Sequence, residues 1–325
     1  MGVETRLSRA ALLLGAILLI ALALGVSFGA TPLSWSDILR GDETSRAILM
    51  RIRLPRVVVA ALVGAALAIA GATFQTLLRN PLADPFILGV SGGAACAAAL
   101  ATAFGLAQRV PGIVPAVAFA GACLSTLAVF VLARRRDHTD PTRLLLSGLV
   151  LNAFFSAIIL ISFSLSRQSD LTAALRWMMG SLFAASWTEA VILGVLLVPA
   201  FAALVWFAGD LRMLAFGEED ARSRGVEVER VKLVGFACAS IVTGAAVAVS
   251  GIIGFVGLLV PHLIRLAWRR DFRFTLPLSA IGGAILLVLA DLLSRSIVAN
   301  SELPIGAFTA LLGVPFFISL LRRAA

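Results

Sequence analysis

Charge is what this sequence has least of. Only 14% of its 325 residues are Asp, Glu, Lys or Arg, against about 25% in soluble domains, which excludes an ordinary water-facing globule. Hydrophilic stretches are short, none longer than about 25 residues, so there is no separate aqueous domain to house a nucleotide site. Cysteine is scarce and unpaired. Cys96, Cys123 and Cys238 lie singly in apolar runs, with no C-x-x-C, and no disulfide framework follows from them. His138 and His262 are far apart, so a metal site built from His and Cys is not expected. Catalytic patterns are missing too: no H-E-x-x-H, no paired carboxylates with a base, no Ser–His arrangement and no phosphate loop G-x-x-x-x-G-K-[ST].

What is abundant is apolar sequence, 60% of residues, with mean hydropathy +1.01. That composition predicts an all-α polytopic membrane protein, one transmembrane domain over 1–325. Hydropathy and loop punctuation place ten spans at about 11–30, 56–78, 86–105, 112–134, 143–165, 188–208, 231–250, 252–268, 275–298 and 304–322. The third and eighth are short or interrupted by glycine. Arg6 and Arg9 before the first run give it the look of a signal peptide, but the run is long for one and nine spans follow, so it reads as a retained first helix.

An even span count puts both termini on one side. With that side taken as cytoplasmic, inner segments hold 18 of the 27 Lys and Arg, among them Arg79, Arg136, Arg269 and Arg270, and outer segments hold nine. This bias fits the positive-inside rule. One outer segment departs from it: residues 31–56 carry five arginines, four of them at 46, 51, 53 and 56. Two readings stand, a short loop translocated despite its charge, and an electropositive rim that receives an acidic partner.

Residues 53–93 combine the oddest features: Arg53 and Arg56 flanking a proline, a long small-residue run, a polar turn Arg79-Asn-Pro-Leu-Ala-Asp-Pro85, and a Gly/Ser-rich apolar segment. Within them, Gly64-Ala-Ala-Leu-Ala-Ile-Ala-Gly71 recurs as Gly244-Ala-Ala-Val-Ala-Val-Ser-Gly251, five of eight positions being identical. Each copy is expected to close a span, and opposite directions for the second and seventh spans would make helices 2–5 and 7–10 inverted repeats, as in transporters. Chance matching among Ala/Gly-rich helices, which pack closely in any case, is the other reading.

The longest inner loop, about 209–231, has Glu218, Glu219 and Asp220 just after Gly217, where acids suit a helix start. Gly225 suits a stop. The pattern predicts a two-turn amphipathic helix and a second one from Glu227, either as a docking element for a cytoplasmic partner or as a solvated loop. Polar groups inside spans are few: Gln75, Asn152, Asp291, Ser162 and Ser164. Such residues usually face a bundle interior or cavity, which with the residues of the polar turn and the Gly/Ser segment makes Gln75, Asn80, Ser91, Gly92 and Asn152 candidates for lining a path. Asp291 and Arg295 are four apart on one helix face and are placed to pair with each other.

The sequence resembles permease subunits of binding-protein-dependent, ATP-driven importers of iron–siderophore complexes, haem and cobalamin. The resemblance runs nearly end to end. It rests on Arg53-Leu-Pro-Arg56, Gly64 to Gly71, Asn80-Pro-Leu-Ala-Asp-Pro85, Leu88-Gly-Val-Ser91, Leu145-Leu-Ser-Gly148, Trp177-Met-Met-Gly180, Gly217-Glu218 with Gly225-Val226, Gly251 to His262, Leu276-Pro277, Ala290-Asp291, Glu302-Leu-Pro-Ile-Gly306 and Gly313-Val-Pro-Phe316. It implies a type II importer permease fold and a homodimer of ten-helix subunits with the path between them. Two ATPase subunits would bind inside, carrying the ATP and Mg, and a periplasmic or lipid-anchored binding protein would dock outside; this chain itself would hold no cofactor. By position, Arg53, Arg56 and Arg295 match arginines that meet glutamates of the binding protein. Gly217, Glu218, Glu219, Ala221, Arg224, Gly225 and Val226 match the coupling helix in the ATPase cleft. Arg224 stands where the family usually has an apolar residue, and Asp271-Phe272-Arg273 where Asp-His-Arg is usual. An iron chelate is the expected cargo and cobalamin the alternative; an ion-coupled carrier is disfavoured for want of a mid-membrane ionisable residue.

Overall fold

A computed structural model of the protein describes residues 3–29, 34–110, 112–135, 138–268, 271–298 and 302–324. Arg136, Arg269 and Arg270 of the inner charge count, and residues 31–33 of the arginine-rich loop, lie outside the described residues. Each apolar run expected to span coincides with a helix: α1 Val3–Ser27, α2 Leu54–Leu77, α3 Val90–Ala103, α4 Ile113–Ala133, α5 Pro141–Leu165, α6 Trp187–Trp206, α7 Val228–Ser250, α8 Val256–Ala267, α9 Phe272–Ser296 and α10 Ile305–Ala324. Seven are long and apolar enough to cross a membrane, while α3, α8 and the apolar stretch Ile305–Ile318 of α10 are shorter. The chain is a multi-pass membrane protein.

Helix starts follow the local sequence. Asp140 accepts from Thr142 N–H ahead of Pro141, and Asp271 from Arg273 N–H. Ser186 and Glu189 form a reciprocal capping box at α6, so orphan N–H groups at these ends are satisfied by side chains. Short helices fill several predicted loops, Gln168–Met178 and Ala208–Phe216 among them, and the short helix expected after Gly217 forms at Glu218–Ser223. A two-residue ladder pairs Arg134–Arg135 with His138–Thr139, the one β element among the described residues.

Small residues decide the packing. About 78% of the α2 span and 67% of the α7 span are buried, against 17% of α5, so α2 and α7 form the core and α5 is left facing lipid or a partner. Gly64 lies against the Gly283 carbonyl of α9, and Gly71 against the Gly257 carbonyl of α8, with no room for a Cβ at either. Such contacts let helix backbones meet where lipid provides no hydrophobic drive.

The repeat is visible in these pairings. α2 packs on α9 and α8, and α7 packs on α4 and α3, the arrangement expected when the two halves exchange roles. Gly64 faces Gly283, and its repeat mate Gly244 faces Ala122 of α4. Phe74 near the end of α2 meets Phe236 near the start of α7, ring centres 5.6 Å apart, so the two copies run antiparallel, as inverted repeats must. Only the second copy closes its helix, contrary to the sequence expectation. At Gly251 (φ +69°) α7 ends and a non-helical segment, buried at Gly251 and Ile253, leads to Phe255 (φ +68°). α2 instead runs on past Gly71 to Leu77, with Thr73 and Thr76 donating back to the Ile69 and Ala72 carbonyls.

Candidate functional site

Polar chemistry gathers at the two ends of the bundle. At one end the last turn of α1, the entry to α2 and the exit of α9 converge. The α1 terminus leaves its final carbonyls without helical partners. Arg53 Nη1 donates to the carbonyls of Val26 and Ser27 at 2.7 and 2.6 Å. Arg295 donates to the carbonyls of Phe28, at 2.8 Å, and Gly25. Two cations therefore sit on the negative pole of one helix. Arg56 lies beside them, its Nε 2.9 Å from Asp291 Oδ1 and its terminal nitrogens 2.6 and 3.0 Å from the two oxygens of Glu302. Arg295 Nε completes the set, 3.1 Å from Asp291 Oδ2, as the four-residue spacing suggests.

This arrangement corrects the picture of an electropositive rim. Arg53, Arg56 and Arg295 are together but only 4–7% exposed. Desolvating three guanidinium groups is costly unless they are paired, and the two carboxylates with the α1 carbonyls supply that pairing. The arginines that do face outward on this segment are Arg40, Arg46 and Arg51. Entry to α2 passes through a π-turn, Ile48–Arg53, where Trp187 Nε1 donates to the Met50 carbonyl at 2.9 Å; π-turns of this kind recur at functional sites. Glu302 stands in one of the motifs that carry the resemblance, but the sequence assigns it no role. Its signal is that it is the sole acid between α9 and α10.

At the opposite end stands the helix Glu218–Ser223, one and a half turns long. Gly217 (φ +147°) and Gly225 (φ +82°) bracket it in conformations that L side chains avoid. Ala221 is fully buried and anchors the helix to the bundle, whereas Glu219, Asp220, Arg224 and Gly225 are exposed and Gly217, Glu218 and Val226 are intermediate. The preceding helix Ala208–Phe216 was expected as loop; Leu211 and Leu214 bury its inner face, and Arg212 reaches Asp271 at 3.3 Å. Open clefts flank the short helix, one of about 780 Å³ bordered by Glu218, Arg222 and Glu229, and one of about 320 Å³ bordered by Phe216, Asp220 and Arg224.

The path candidates divide. Gly92 of α3 touches the Asn152 side chain of α5 so closely that no Cβ fits, and Asn152 donates to the Phe86 and Ile87 carbonyls at 3.0 and 3.3 Å. Ser91, on the same turn of α3, is buried. Gln75 lies elsewhere, buried between α2 and α8 and donating to the Gly257 carbonyl at 3.1 Å. Asn80 forms an Asx turn with Leu82 N–H, and Asp84 forms a second with Phe86 N–H, the turn chemistry expected of Asx-Pro pairs. Burial raises the Asp84 carboxyl from 3.8 to about 6. No group of His, Cys, Asp and Glu among the described residues is arranged to hold a metal.

The model of the FecCD transport family matches residues 17–323. The chain belongs to that family. This permease is 40% identical over 319 residues to the hemin transport system permease protein HmuU of Yersinia pestis, covering 94% of this chain and 93% of that one. It is 39% identical over 316 residues to the vitamin B12 import system permease protein BtuC of Escherichia coli O6:H1, covering 96% and 94%. Among solved structures it superposes with TM-score 0.88 on a metal-chelate type ABC transporter in an inward-facing conformation, at 28% identity over 97% of this chain and 99% of that one. The permease thus has the fold of a type II ABC importer permease.

Proposed function

We propose that the permease is the membrane subunit of an ATP-driven importer that moves an iron chelate, a siderophore complex or haem, inward from a soluble binding protein. The observation that carries this reading is the helix Glu218–Ser223, bracketed by two glycines and flanked by open clefts, on a chain with no phosphate loop. Energy from ATP must then arrive from another subunit, and this projection is shaped to receive it. Two permeases would present two such helices to two ATPase subunits, with the path between them where α5 is least buried. The positive-inside bias puts this end and both termini in the cytoplasm. The arginine cluster then faces outside, where exposed Arg40, Arg46 and Arg51 steer an acidic binding protein toward it.

Cobalamin is the second reading, because relatives of nearly equal identity are named for hemin and for vitamin B12. Reconstitution into vesicles with cognate ATPase and binding-protein subunits tests both. Uptake of a ferric siderophore or haem that requires ATP and both partners is expected. ATP-dependent uptake of cobalamin alone replaces the cargo, and uptake driven by an ion gradient without ATP overturns the importer reading.

A further inference from the structure

Lys232 is the only lysine in the sequence, against 26 arginines, and it is buried at 5% exposure near the start of α7. Three acceptors surround its ammonium group, which has three N–H donors. Glu218 Oε1, at the start of the short helix, is 2.8 Å away. Glu229 Oε1, one turn back on α7, is 3.1 Å away. The third is the carbonyl of Thr139, at 2.7 Å. Glu229 uses its other oxygen to accept the N–H of the same Thr139 at 3.0 Å. Both backbone groups of Thr139 are therefore held by the first two turns of α7. Thr139 is followed by Asp140, the N-cap of α5, and Pro141, its first residue, so little slack separates this clamp from α5.

We propose that Lys232 is a positioning residue that binds the short helix, the start of α7 and the head of α5 into one body, so that a displacement imposed on the short helix is delivered to α5. This rests on the reading of residues 217–226 as the surface that receives the ATPase. Without the ammonium, Glu218 and Glu229 are left with the exposed Arg222 as their shared cation, and the short helix loses its buried tie to α7 and to Thr139. Arg222 is no substitute at this point, since it is exposed and lies 3.3 and 3.9 Å from the same two carboxylates.

The test uses the complete transporter in nanodiscs, with spin labels at exposed Ser223 and Thr142. In the wild type one narrow interlabel distance is expected, unchanged by ATP. In Lys232→Met the distribution broadens and cargo moved per ATP falls at least about fivefold, the low end for a coupling free energy, while ATP hydrolysis continues. Lys232→Arg restores both readouts. A Lys232→Met transporter with wild-type yield per ATP, or with an unbroadened distance, overturns the proposal. If Lys232→Met fails to accumulate, Glu229→Gln is read in the same way and must broaden the distance. The distance measured in the permease alone separates the clamp from the functional reading: broadening there, with no cross-link from residues 217–226 to the ATPase in the wild type, supports the clamp and sinks the ATPase-contact reading.

Discussion

Arg56 holds Glu302 with both terminal nitrogens, at 2.6 and 3.0 Å, while its Nε holds Asp291 at 2.9 Å. One side chain thereby ties the entry of α2 to the exit of α9 and to the loop before α10. Of the three, Asp291 is nearly inaccessible and Glu302 retains about 29% of its side-chain surface. Glu302 is thus the carboxylate of the pair that water or a partner can reach.

Arg56→Gln should destabilise the permease by up to about 3 kcal/mol, because buried Asp291 is left with Arg295 as its remaining cation and loses its charged hydrogen bond from Arg56. Glu302→Gln should cost less, about 1 kcal/mol, since the lost charge is partly solvated. Thermal unfolding followed by size-exclusion fluorescence in detergent checks the ranking. Equal losses would show that Asp291 does not depend on Arg56.

Charge reversal at Arg46 and Arg51 should slow binding-protein association and flatten its salt dependence, because exposed charges act mainly on encounter rate. ATPase assembly should be unaffected. Surface-plasmon measurements at low and high salt decide this. If only changes at the buried Arg53 and Arg56 alter docking, the buried cluster must open to meet its partner.

Gly71→Ala should abolish folding or cost several kcal/mol, as a Cβ there runs into the Gly257 carbonyl, and backbone, unlike a side-chain tip, does not yield cheaply. Gly15→Ala, with nothing within 4 Å, is the matched control and should be neutral. Yield of monodisperse protein distinguishes the two.

Uncoupling at Gly225 should follow backbone tolerance. The site is open but has φ +82°, so Asn should be mildest, Ala should cost about 1 kcal/mol, and Val should be worst. Cargo moved per ATP is the readout, and a flat series would mean the helix stop is dispensable.

Asp84 gives a pH signature. The folded chain holds its proton more tightly than the unfolded chain, so the stability it contributes is fully present below 3.8 and is lost as pH rises through about 6. The ceiling is about 3 kcal/mol, reduced to roughly 1–2 by partial exposure. Asp84→Asn keeps the acceptor for Phe86 N–H and should remove this dependence, melting higher than wild type at pH 7.5 and no higher at pH 4. Parallel melting curves would rule the group out.

Span positions were legible because each needs only an apolar run long enough for lipid and a polar break to end it, and Pro, Asp and Gly mark those breaks locally. The repeat could be read for the same reason, since Gly64 and Gly244 announce close packing wherever they fall. Lys232 was less visible. Its spacing from Glu229 is a local pattern, but Glu218 and Thr139 reach it only through the fold.

The sequence by itself determined which segments enter the membrane and which residues are too small or too charged to be there without a reason. Only the tertiary structure decided what those residues do. Arg56 finds its carboxylates 235 and 246 residues away, and Arg53 and Arg295 find the carbonyl end of α1. Burial and pairing are properties of neighbours brought together in space, so an arginine that reads as an exposed rim charge in one dimension becomes an internal clasp in three.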